Sequence, residues 1–186
     1  MATRTGGRPA PRRSETDETP VVVGIDPGLQ VCGWGVVSGD GRPHYVACGI
    51  IKTTARQSLA ERLRLLHESI EEVILHYQPT EVAIEDPFIG KLAPASALAI
   101  GQARAVAVLA AAEAGLPVSF YAPATVKLAV TGYGRGDKAQ VQAMVRLQLE
   151  LSSDPHPSDA ADALAVALCH ISQRRLRALR LARDRL

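Results

Sequence analysis

The sequence predicts an α/β domain built on a five-stranded mixed sheet flanked by helices, and three features carry that expectation. Short, apolar, β-branched runs near the start of the chain follow one another across turn signals, as antiparallel strands joined by hairpins do. Farther on, runs of the same kind alternate with long stretches that are apolar at every third or fourth residue, the strand-helix-strand order of parallel βαβ units. Two of the strands also end in a carboxylate, at the edge where sheets of this class hold ligands.

Taken in order, Val21 to Ile25 is a nearly continuous β-branched run, the pattern of a strand buried on both faces, and it ends in Asp26 before Pro27 and Gly28 stop it. Val31 to Ser38 reads as a second strand, Gly39-Asp40-Gly41 as a turn, and His44 to Thr53 as a third strand, which makes an antiparallel meander. Leu59, Leu63, Leu66, Ile70, Val73 and Ile74 share one helical face, so a helix is expected from about Arg56 to Tyr77, closed by Pro79. Glu81 to Glu85 is a fourth strand, apolar until its terminal acid. An Ala-rich helix from about Pro94 to Ala114 ends at Gly115, and Val118 to Tyr121 is a fifth strand. Thr125 to Val130 predicts a short helix, Thr131 to Gly136 a Gly-containing loop, and Asp137 to Leu149 another helix. After a Pro-broken connection at 154–157, the last helix starts near Ser158 and runs through Cys169, with the Arg-rich tail as a possible continuation. Three antiparallel strands followed by βαβ units and helices is the order of a ribonuclease-H-like fold.

Length and composition bound the reading. The 186 residues suit one domain of ordinary size. With 47% apolar and 22% charged residues the composition is globular, and no run approaches the roughly 18 apolar residues of a membrane span. Residues 1–19, rich in Thr, Gly, Pro and Arg, are expected to be a disordered leader without the apolar core of a signal peptide. Residues 20–171 form the expected ribonuclease-H-like domain. Cys32, Cys48 and Cys169 are odd in number and lack a Cys-x-x-Cys unit, which suits a reducing, cytoplasmic setting and suggests neither a disulfide framework nor a thiolate zinc site. The net charge is +2, yet residues 172–186 hold six Arg and one Asp, so residues 1–171 are net −3. Overall charge therefore does not call for nucleic acid; local clusters must.

The acids carry the chemistry. A carboxylate ending a buried strand must be paired, hydrogen-bonded or bound to a cation, because desolvating it ionised costs several kcal/mol or more. If the first and fourth strands are neighbours, Asp26 and Glu85 project together at one edge. Asp159 and Asp162, three apart in the first turns of the last helix, share a face. Taken singly, an Asp before Pro-Gly is a common turn former and acids in a first helical turn are common dipole partners; a turn explanation for Asp26 nonetheless says nothing about Glu85. Hard oxygen ligands without His or Cys suit Mg²⁺ or Mn²⁺. Two such ions about 3.5 to 4 Å apart activate a water and stabilise the leaving oxygen of an in-line phosphodiester cleavage.

Gly24-Ile25-Asp26-Pro27-Gly28, Ala83-Ile84-Glu85 with Phe88 three beyond, Gly101-Gln102-Ala103-Arg104, and Asp159-Ala160-Ala161-Asp162-Ala163-Leu164-Ala165, in that order over about residues 20–171, resemble the RuvC family of Holliday-junction resolvases. The resemblance implies a metal-dependent endonuclease that cuts four-way DNA junctions in symmetric pairs during recombination and repair. By it, Asp26, Glu85, Asp159 and Asp162 are the catalytic acids, holding Mg²⁺ (or Mn²⁺), two ions per site. It also implies a homodimer, with one acid cluster for each of two opposed strands, and a branch-migration motor as partner. Some relatives carry His at the first position of the final pair, so Asp159 makes this an all-carboxylate site. Asp86 is left outside it, since strand alternation turns it away from Glu85.

The same resemblance singles out DNA-binding residues. Phe88, one of only two Phe, follows a strand that ends in a site acid, where an exposed ring can stack on a base for about 1 to 3 kcal/mol; on residue type alone it would cap the core. Lys127 and Lys138 flank the Gly132-x-Gly134-x-Gly136 loop, which lacks the Gly-Lys-Ser/Thr ending of a Walker motif, and correspond to the family's DNA-contacting lysines. Lys91 and Arg104 are further candidates, Arg146 a weaker one, and the Arg-rich tail is either solvated helix or an auxiliary DNA arm. Two other classes share single features: actin-like nucleotide-binding proteins, which also have an Asp near the end of a first strand but need two lobes and more chain, and non-catalytic DNA-binding relatives, which lose one or more acids.

Overall fold

The computed structural model describes residues 19–86, 93–134 and 136–184. Ten elements follow one another: β1 (Val21–Asp26), β2 (Val31–Ser38), β3 (His44–Lys52), α1 (Leu59–Tyr77), β4 (Glu81–Glu85), α2 (Pro94–Glu113), β5 (Val118–Tyr121), α3 (Pro123–Thr131), α4 (Lys138–Gln148) and α5 (Ser158–Arg183). The strands form one sheet in the order β3-β2-β1-β4-β5. The β1-β2 and β2-β3 pairs are antiparallel, and β4 runs parallel to both β1 and β5. The meander and the two crossovers are as expected, and β1 and β4 are neighbours.

Alternation along the strands divides the core in two. Val23 and Ile25 of β1 and Val82 and Ile84 of β4 face a layer that includes Leu66, Ile70 and Val73 of α1 and Ala103 and Ala107 of α2. Val22 and Ala83 face the opposite way, against Leu164, Ala165 and Leu168 of α5, with Val126 of α3 and Val141 of α4 beyond. The sheet is therefore sandwiched between helical layers, and β1 and β4 are buried on both faces as their continuous apolar runs require.

One boundary differs from expectation for a local reason. Helix α1 starts at Leu59 rather than Arg56 because Ser58 caps it: its hydroxyl accepts from the Glu61 amide at 3.3 Å while the Glu61 carboxylate takes the Ser58 amide at 2.7 Å. Helix α5 takes the longer of its two expected courses and continues unbroken into the Arg-rich segment, through 172–183. Helix α2 is interrupted by Gln102 and Arg104 and holds no continuous apolar run of spanning length. It is long and apolar enough to span a membrane by length and composition, with a mean hydropathy of 1.5, because its many Ala residues raise the average across Gln102 and Arg104. In the fold it packs beside α1, burying Ala103, Ala107, Ala110 and Ala111, and it leaves Leu98 63% and Leu109 51% exposed.

Helix α5 lies unusually close to the sheet, and glycines permit it. A Cβ on Gly24 of β1 would stand 2.2 Å from the Ala163 carbonyl oxygen, and one on Gly33 of β2 would stand 2.0 Å from that of Asp159. Backbone thus meets backbone, and Ala163, Leu164 and Ala167 are fully buried there. The three cysteines are free thiols.

Candidate active site

The parity that sends Val23 and Ile25 to the α1 side sends Gly24 and Asp26 to the α5 side, and along β4 it does the same for Ala83 and Glu85. Because β1 and β4 are parallel and in register at Ile25 and Ile84, the two acids emerge side by side at the carboxyl ends of adjacent strands. Each carboxyl group shifts the other's proton affinity. The start of α5 crosses over them: Asp26 is paired across the sheet with Gly33, and Gly33 is the position on which the Asp159 backbone rests. Asp159 and Asp162, on one face of the first turns of α5, both act electrostatically on Asp26. All four acids face one edge of the sheet, and the approach of α5 to the strand acids depends on bare glycine backbone beneath the helix.

Asp26 and Glu85 sit in a partly dry cleft where ionising either one is disfavoured by burial and by the other acids nearby. Burial, followed by the repulsion of Asp162 and Asp159, raises Asp26 to about 6. Burial, followed by Asp26 and Asp162, raises Glu85 to about 8. Lys138 and Lys127 oppose the two shifts respectively, yet the acids remain short of positive charge. An all-oxygen, all-carboxylate donor set with surplus negative charge fits a hard divalent cation and does not fit zinc or copper.

Beside the acids, a cavity of about 170 Å³ is lined by Glu85 and Asp162 and by Lys127 of α3 and Lys138 of α4. Lys138 is the first residue of α4, set there by Asp137, whose carboxylate accepts from the Gln140 amide at 2.8 Å. Its ammonium lies 2.8 Å from Oδ2 of Asp162, so in this conformation Lys138 is engaged by an acid rather than free for a phosphate. The other candidates are spread out. Arg104 is ion-paired with Asp86 and stands 5.8 Å above the Phe120 ring, so Asp86 turns away from the cluster. Arg146 faces Asp154 at 3.2 Å. Phe88 and Lys91 lie outside the described residues.

Sequence reasoning missed the middle of α5. There the buried His170 accepts or donates at Nδ1 with the Tyr121 hydroxyl at 2.9 Å and meets Glu81 Oε2 through Nε2 at 2.7 Å, while Arg174 reaches Glu81 Oε1 at 3.1 Å. The signal was present: His170 and Arg174 sit four apart on the helix, and Glu81 opens the strand that Glu85 closes. A second group was also missed. His67, Glu71 and Glu113, on α1 and α2, form the one set of three His, Cys or carboxylate ligands among the described residues whose donor atoms all lie within 4.8 Å of one another. It belongs to the opposite helical layer, apart from the four acids, and His67 there already contacts Glu113 at 2.7 Å.

A mixed β3-β2-β1-β4-β5 sheet with helices on both faces and acids gathered at the ends of its two central strands defines a ribonuclease-H-like α/β protein. The particular family follows from comparison with known proteins. The family model described as crossover junction endodeoxyribonuclease RuvC matches residues 22–170. The RuvC of Roseiflexus sp. (strain RS-1) is 51% identical over 149 residues, covering 80% of this chain and 88% of that one, and the RuvC of Heliobacterium modesticaldum is 49% identical over 150 residues, covering 80% and 92%. Among solved structures, Thermus thermophilus RuvC in complex with Holliday junction substrate is 38% identical, with a TM-score of 0.81 over 85% of this chain and 96% of that one. The yeast mitochondrial Holliday junction resolvase Ydc2, at 16% identity and a TM-score of 0.62, shares the fold. The chain belongs to the RuvC family of crossover junction endodeoxyribonucleases.

Proposed function

We propose that this chain is a cytoplasmic resolvase that cuts four-way DNA junctions by paired, symmetric phosphodiester hydrolysis, and that Asp26, Glu85, Asp159 and Asp162 are its catalytic acids. The observation that carries the reading is the convergence of these four carboxyls, from two parallel strands and one helix, at a single edge; the Holliday junction substrate held by the similar Thermus thermophilus RuvC supports the choice of DNA. The donor set suits Mg²⁺ or Mn²⁺, two ions per site. Bound there, the ions supply an activated water and charge stabilisation for the leaving oxygen.

The chain's own groups do the rest. Asp26 and Glu85, held by rigid strands, fix the ligand oxygens on the sheet side, and Asp159 and Asp162 fix those on the helix side. Packing of α5 on glycine backbone keeps the two pairs at a constant separation. Lys127 and Lys138 present cations to the scissile phosphate and the duplex backbone, which position DNA without reading sequence. Phe88 stacks on a base at the branch point, Lys91 contributes a further phosphate contact, and Arg104, released from Asp86, another. Residues 20–171 form the nuclease domain; residues 1–19 are a leader and 172–186 an Arg-rich extension.

A four-way junction has twofold symmetry, so an isologous homodimer sets one acid cluster on each of two opposed strands. The exposed Leu98 and Leu109 on α2 provide an apolar surface for it. A branch-migration motor is the expected partner. The test is a synthetic four-way junction incubated with protein and each metal in turn. Paired, symmetric nicks are expected, and Asp26→Asn should lower cleavage at least a hundredfold while leaving junction binding within a few-fold. Cleavage retained by Asp26→Asn would refute the active-site assignment, and random nicking of plain duplex would refute the junction reading.

A further inference from the structure

The ion pair between Lys138 and Asp162 points beyond DNA contact. We propose that Lys138 is a placeholder cation: without metal its ammonium occupies a ligand position at Asp162, and metal entry requires it to swing away, which leaves it free at the mouth of the site. The inference rests on the reading of the four acids as a metal site.

Three observations support it. Lys138 Nζ is 2.8 Å from Asp162 Oδ2, a charge-assisted contact that uses an oxygen a metal would need. Lys138 lies on a different element from any of the acids, and its backbone follows the loop that includes Gly132, whose φ is +71°, and Gly134. The side chain is 56% exposed, so it can move into solvent without breaking the core. Lys127 is the natural contrast. It lines the same cavity and acts on Glu85, but it makes no ion pair with any of the four acids. The two lysines carry the same charge into the same cleft, and only one of them covers a ligand oxygen.

The consequence is competition. A ligand oxygen engaged by an ammonium is withheld from a divalent ion by roughly the strength of one charge-assisted hydrogen bond, about tenfold in affinity. The exchange balances charge without any chemical step: Asp162 trades one cation for another, and the displaced ammonium becomes available to an anion. Metal loading and presentation of Lys138 to phosphate are then one event.

The test measures Mn²⁺ binding to the full-length protein in the absence of DNA, by the loss of the free-ion electron paramagnetic resonance signal. Lys138→Gln should bind Mn²⁺ about tenfold more tightly than the parent chain, whereas Lys127→Gln, which removes the same charge without uncovering an oxygen, should change affinity by no more than about twofold. Melting in EDTA accompanies each titration, to show that the variants are folded. Unchanged or weaker binding by Lys138→Gln overturns the proposal. Equal tightening by both variants also overturns it, since that is the general effect of removing positive charge. Mn²⁺ binding to the parent that is absent, or indifferent to Asp26→Asn, overturns the metal site itself, an outcome distinct from the other two.

Discussion

Replacing Glu85 with Gln should make the metal-free protein more stable while destroying its activity. Glu85 ordinarily titrates at 4.5 and is raised to about 8 here, first by burial and then by Asp26 and Asp162. A raised carboxyl binds more protons folded than unfolded, so its effect on stability is negligible in acid and grows unfavourable as pH rises from about 4.5 to about 8. At about 1.4 kcal/mol per pH unit, the penalty at pH 8 has an upper bound of roughly 5 kcal/mol. Part of it disappears because Asp26 relaxes when Glu85 is neutral and because the cleft admits water, which leaves a realistic gain of about 2 kcal/mol for Glu85→Gln. For a chain of this size that is a rise in melting temperature of roughly 4 to 8 °C. The assay is thermal unfolding in EDTA from pH 5 to pH 8.5, repeated with Mg²⁺. The gap between variant and parent should close toward pH 5, and Mg²⁺ should stabilise the parent increasingly with pH while stabilising the variant much less. A variant no more stable than the parent at pH 8, or a gap independent of pH, would falsify the view that this cleft is short of positive charge.

Three more outcomes follow from other parts of the fold. Gly33→Ala forces the Asp159 backbone away from β2 and should cost about 2 to 4 kcal/mol in urea unfolding, with cleavage lost even at temperatures where the protein is fully folded. Glu81, lowered from its ordinary value first by its hydrogen bond to His170 and then by the charges of His170, Arg174 and Arg177, stabilises the fold above its unfolded value. That contribution fades as pH falls through its lowered folded value, so Glu81→Gln should lose about 1 to 2 kcal/mol at pH 7 and progressively less below pH 4. Ser58→Ala removes the cap of α1 and should cost about 1 kcal/mol in thermal melts without altering junction cleavage.

Much of this was legible in the residues because strand parity is unforgiving. The Val21–Asp26 run could be buried on both faces only in a central strand, and once β4 lay beside β1, the acids ending the two strands had to share a face. The acids on α5 were legible for the same reason, through helical spacing. What escaped were features set by three-dimensional approach. Nothing local distinguishes Gly33 from any strand glycine until Asp159 is seen resting on it. Lys138 reads as a surface residue because its partner Asp162 is far away in sequence. His170 lies in an apolar helix and reads as core, and its role depends on Glu81 and Tyr121, which come from two different strands. The averaged hydropathy of α2 is high despite Gln102 and Arg104 because alanines fill much of the helix.

Strand β4 carries an acid at each end, and both meet α5: Glu85 approaches Asp162 at one end, and Glu81 meets His170 and Arg174 at the other. The first contact is repulsive and the second attractive, about eight residues apart along the helix between Asp162 and His170. The helix is thus moored at its middle while its bow is pushed outward. Without that mooring, the cheapest relief for four crowded carboxyls would be for the front of the helix to lift; with it, lifting must bend a rod fastened midway along its length. The site is then held ready for its cations by a tie about 12 Å away that never touches them.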